Sequence, residues 1–60
     1  MKFIKVNDID DAEIYINAEY IINFEAVFVD KVGNCTEIYF VNKLKMEIHE
    51  TIDELLELLK

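Results

Sequence analysis

From Glu13 to His49, apolar residues recur at alternate positions in four separate runs, and this period of two most restricts what the chain can fold into. Successive side chains of an extended strand point to opposite faces, so such a period fits strands and defeats a helix. Glu13-Ile14-Tyr15-Ile16-Asn17 places Ile14 and Ile16 on one face and Glu13, Tyr15 and Asn17 on the other. Tyr20 to Val29 is the longest run, with Ile22, Phe24, Ala26 and Phe28 on one face and Ile21, Asn23, Glu25, Val27 and Val29 on the other. Thr36 to Val41 sets Ile38 and Phe40 against Tyr39 and Val41. Ahead of these, Phe3-Ile4-Lys5-Val6 reads as a short first strand with Ile4 and Val6 together.

Asparagine and aspartate carry most of the turns, because the chain has no proline and one glycine. Their side chains bond to nearby backbone groups and so favour turns. Asn7-Asp8-Ile9-Asp10-Asp11 is one such cluster, and Asn17-Ala18-Glu19 predicts a single turn capped by Asn17. Val32-Gly33-Asn34 supplies the residue that takes positive φ without steric cost, so a hairpin is expected there.

Residues 44–59 read two ways. Leu44, Ile48, Ile52, Leu55 and Leu59 could stripe one long helix, yet Leu44-Lys45-Met46-Glu47-Ile48-His49 alternates as a strand does. Thr51-Ile52-Asp53-Glu54 decides between them. It is a capping box, in which Thr51 accepts from the Glu54 amide and the Glu54 carboxylate reaches back. A helix starting at residue 52 frees 44–49 to be a strand. On that helix Ile52, Leu55, Leu56 and Leu59 are expected to face the sheet, with Leu58 on the flank. The fold class is therefore α+β and mainly β: a five-stranded antiparallel meander or small curled barrel, closed by one short C-terminal helix. Residues 1–60 form a single domain.

So short a chain buries little of its surface, and small domains usually add a disulfide, a metal or a partner. The one cysteine, Cys35, cannot form an internal disulfide, and no CxxC or paired histidines build a zinc site. A homodimer or another protein partner is the staple left open. Thirteen acidic residues against six lysines, with no arginine, give a net charge of −7. Nucleic acid and anionic membrane both reward cations, so neither is expected as a partner. No apolar run reaches the ~18 residues of a membrane span, and Met1 to Asp11 lacks an export signal. An unpaired thiol without such a signal fits the reducing cytoplasm.

Both faces of the 20–41 hairpin carry apolar residues, and one helix covers only one face of a sheet. Val27, Val29, Tyr39, Val41 and the flanking Leu58 are the candidate interface with a second chain.

No catalytic set emerges. Asp8, Asp10, Asp11 and Glu13 cluster, but no glycine follows at the place where a calcium loop turns, so they read as a solvated hairpin turn. His49 has no second histidine, and the chain has no serine for it to activate. A Cys35–His49 dyad depends wholly on how the fold places the two. Gly33 stands alone, which excludes a phosphate loop. No cofactor, metal or small-molecule substrate is expected.

Glu13-Ile14-Tyr15-Ile16-Asn17, then Tyr20-Ile21-Ile22-Asn23-Phe24-Glu25, then a strand pair and the Glu50-Thr51-Ile52-Asp53-Glu54 helix start, together resemble the small flagellar protein family FlbD of Gram-positive bacteria. That family has an Asn-Gly hairpin where this chain has Asp10-Asp11-Ala12, and a glycine in the later hairpin where it has Asn42-Lys43. The resemblance implies a small bacterial accessory protein. The order of strand, Ile-x-x-Phe-Glu, hairpin and Thr-capped helix is also similar to the LytTR DNA-binding domain, which implies a regulatory module. The functional expectation is a non-enzymatic, self-associating interaction domain. A LytTR-like module and an acidic nucleic-acid mimic are the alternatives.

Overall fold

A computed structural model describes residues 2–60. Five strands and one helix follow in order: β1 (Phe3–Asn7), β2 (Glu13–Asn17), β3 (Ile21–Val29), β4 (Gly33–Phe40), β5 (Lys45–Ile48) and α1 (Ile52–Leu58). The protein is mainly β, with antiparallel strands and a short C-terminal helix, as the alternation predicts. The strands do not make one sheet, however, and they do not close into a barrel. β1 and β2 form a two-stranded ribbon, while β3, β4 and β5 form a three-stranded sheet.

The break falls between β2 and β3. Ala18–Tyr20 make one turn of 3-10 helix, capped by the Asn17 side chain accepting from the Glu19 amide at 3.0 Å. That turn redirects the chain, so β3 pairs with β4, and among the described residues no strand pairs with its other edge. The ribbon rejoins the sheet at its far side, where Asp8 bridges Ile48.

Register settles which side chains share a face. On the core face, Phe24, Ile38 and Met46 lie in one row, and Ala26, Thr36 and Ile48 in the next. Ile4, Val6, Ile38, Ile48 and Leu55 form the buried core, with Ile14, Ile16, Ile21, Phe24, Leu58 and Leu59 packed against it. A bulge between Ile21 and Asn23 returns Ile21 to the core face opposite Phe40. The expectation that Ile21 faces with Val27 and Val29 is thereby corrected.

The capping box is formed. Thr51 Oγ1 accepts from the Glu54 amide at 3.3 Å, and the Thr51 amide donates to Glu54 Oε1 at 2.9 Å. The helix is rotated from the expected stripe, because Leu58 and Leu59 pack on the core with Leu55 while Leu56 is 47% exposed. Residues three and four apart share a helix face, so Leu55, Leu58 and Leu59 make the natural stripe once Leu55 sits at the centre.

Seven helical residues span about 10 Å, against about 30 Å for the nine residues of β3. The helix therefore covers only part of the core face. Phe24 is half-buried, but Ala26 is exposed and Phe28 is 70% exposed. The molecule is elongated, 33 Å along its long axis and 21 by 20 Å across.

Candidate functional site

The surface away from the core is built by three strands in register. Across it run Asn23–Tyr39–Lys45, then Glu25–Glu37–Glu47, then Val27–Cys35. Three carboxylates in line are unfavourable, since like charges opposite one another on a sheet repel. Two neighbours relieve this. The Tyr39 hydroxyl lies 2.7 Å from Glu37 Oε1 and 2.9 Å from Glu25 Oε1, and Lys45 Nζ is 4.0 Å from Glu37 Oε2. A phenol has one proton to donate, so the two carboxylates compete for it. Hydrogen bonding to Glu37, and then to Glu25, drives the Tyr39 pKa far above that of an ordinary tyrosine.

Of the candidate interface residues, Val27, Val29 and Tyr39 lie on this outer face and are half-buried. Val41 follows β4 and is 56% exposed, its amide donating to the Tyr20 carbonyl at 2.8 Å. Leu58 does not join them, because it packs on the core. The outer face is less apolar than its alternation suggests, since Glu25, Glu37 and Glu47 occupy its centre. The most exposed apolar residues of the hairpin are instead Ile22, 62% exposed at the bulge, and Phe28 on the overhanging core face. The alternation groups Phe28 with Phe24 and Ala26 on one face, but how far the helix reaches along that face is not legible in the sequence.

The β4–β5 register extended by one residue brings His49 opposite Cys35. No hydrogen bond joins them among the described residues. Cys35 is buried, and burial first, then the Glu47 charge, pushes its thiol pKa up. A nucleophilic cysteine needs the opposite shift. His49 Nε2 instead lies 3.2 Å from Asp11 Oδ1, without the alignment of a hydrogen bond. Asp8 Oδ1 accepts from the Asp10 and Ala12 amides, both at 2.9 Å, which commits its carboxylate to its own turn. No group of three or more potential metal-ligating side chains is assembled among the described residues.

No helix among the described residues is long and apolar enough to cross a membrane. No protein-family model matches the sequence, and no curated protein or solved structure is significantly similar to it.

Proposed function

We propose that this chain is a non-enzymatic interaction module that associates with a second copy of itself through its three-stranded sheet. The observation that carries this reading is the unpaired edge of β3, flanked by exposed Ile22 and Phe28. A strand edge offers a row of backbone donors and acceptors, and natural sheets usually protect it with lysine, proline or a covering loop. β3 contains no lysine or proline, and its bulge lies at one end. The small buried core supports the same reading, since a second chain supplies burial that 60 residues do not. A cytoplasmic setting belongs with it, as the free thiol of Cys35 fits a reducing compartment. An accessory role of the flagellar kind is what the resemblance to FlbD implies. Sedimentation equilibrium over a range of concentrations tests the proposal, with a dimer expected. A monomer of ~7 kDa at every concentration refutes it.

One further reading has an observation of its own. The Glu25–Glu37–Glu47 row lines three carboxylates across an outer face, an anionic array that a basic nucleic-acid-binding surface would engage. Its test is tight binding to a basic nucleic-acid-binding protein that Glu37→Gln and Glu47→Gln weaken.

A further inference from the structure

We propose that the second copy adds to the free edge of β3 by antiparallel pairing about a two-fold axis at Ala26, an assignment that rests on the self-association proposed above. The regular part of β3 fixes the centre. The bulge interrupts the ladder at Ile22, leaving Asn23–Val29 as an unbroken run of seven residues whose middle is Ala26.

Pairing about Ala26 sets Phe24 opposite Phe28 of the other copy, twice by symmetry, on the core face. There Ala26 and Phe28 are left exposed by the short helix. Aromatic cross-strand pairs are among the more stabilising ones in a sheet. The small side chain at the axis lets the two backbones approach without a clash. On the outer face, Glu25 meets Val27 of the other copy and Asn23 meets Val29, so no like charges are directly opposed.

Electrostatics and backbone regularity distinguish this register from the two on its N-terminal side, at Glu25 and Phe24. An axis at Glu25 sets two carboxylates face to face, on copies that each carry a net charge of −7. An axis at Phe24 draws Tyr20 and the bulged Ile22 into the ladder, where the backbone is irregular. With the axis at Ala26, the Glu25 carboxylate stays turned onto its own Tyr39, which lies toward β4 and away from the edge.

The product is a continuous six-stranded sheet with both helices on one side. Seven paired residues run for only about 24 Å. An interface of that length falls at the small end of the range for specific complexes, roughly 1,200 Å² or less, so the dimer is weak and concentration-dependent. Added salt strengthens it by screening the two acidic copies from each other.

Cysteine scanning tests the register. Directly opposed residues in an antiparallel pair have Cα atoms ~4.5–5.5 Å apart, within the ~4.4–6.8 Å that a disulfide spans. Under mild oxidation, Ala26→Cys is expected to give a disulfide-linked dimer, while Glu25→Cys, Val27→Cys and the wild type with its buried Cys35 do not. In sedimentation, Ala26→Lys is expected to weaken the dimer at least roughly tenfold, because two ammonium groups then meet at the axis. It does so even though the added lysine lowers the net repulsion between the copies. A dimer that survives Ala26→Lys, or that crosslinks through position 25 or 24 instead, overturns this assignment and leaves self-association standing. A wild-type chain that stays monomeric at high micromolar concentration overturns both.

Discussion

The carboxylate of Glu50 accepts the backbone amide of Asn7 at 3.0 and 3.2 Å, and its Oε2 also accepts the Asn7 side-chain amide at 3.2 Å. This pair clasps the ribbon to the sheet. Around it, the Asn7 carbonyl accepts from the His49 amide at 2.7 Å, and the Glu50 carbonyl accepts from Thr36 Oγ1 at 2.7 Å. Removing the carboxylate leaves a partly buried amide without its acceptor. Glu50→Ala is expected to cost about 1–3 kcal/mol in urea denaturation. Amide exchange should rise first at Asn7 and Asp8; a loss spread evenly over the chain counts against a local clasp.

Leu55 and Leu56 test the rotation of the helix. Leu55 is fully buried in the core, whereas Leu56 is about half exposed. Leu55→Ala is expected to cost about 2–5 kcal/mol. A chain of this size has a similar total to lose, on the order of 3–9 kcal/mol at ~0.05–0.15 per residue. The variant should therefore be largely unfolded by circular dichroism, while Leu56→Ala melts within a few degrees of the wild type.

Asp11 and Lys43 hold positive φ, at 68° and 70°. Both stand in turns where the chain carries an ordinary side chain in a conformation that favours glycine. Lys43 closes its turn through its amide donating to the Phe40 carbonyl at 3.0 Å. Lys43→Gly is expected to stabilise by about 0.5–1 kcal/mol, read as a higher urea midpoint with unchanged slope. Asp11→Gly should gain less, because it also removes the contact with His49.

Tyr39 gives stability a dependence on alkaline pH. Its folded-state pKa is raised, by the carboxylates of Glu37 first and Glu25 next, so the folded protein holds the phenolic proton more tightly than the unfolded chain. That contribution is complete below the unfolded tyrosine pKa of ~10 and is lost as pH climbs from there toward the folded value. Denaturation midpoints of the wild type should fall more steeply above pH ~10 than those of Tyr39→Phe. Equal slopes would show that the phenol is not held by the two carboxylates.

The strand segments, the turn capped by Asn17 and the helix start at Thr51 were all legible, because each is set by neighbours a few residues away. Alternation fixes which side chains share a face, and a capping box fixes a helix end, whatever lies across the fold. The facing of Phe24, Ala26 and Phe28 was legible for the same reason. The exposure of Phe28 was not, since it depends on how far a distant helix reaches along the strand.

The same division holds for the candidate site. Sequence alone determined a chain with one thiol, no arginine, a surplus of acid and more apolar strand positions than one helix can cover. Only the tertiary structure decided that the strands split into two sheets, that the Asn7–Glu50 clasp joins them, and that β3 is left with an open edge. It also decided that Glu25, Glu37 and Glu47 line up and that Tyr39 lies between two of them. These are long-range pairings, and register between strands depends on the whole set of hydrogen bonds and core contacts rather than on any local run of residues.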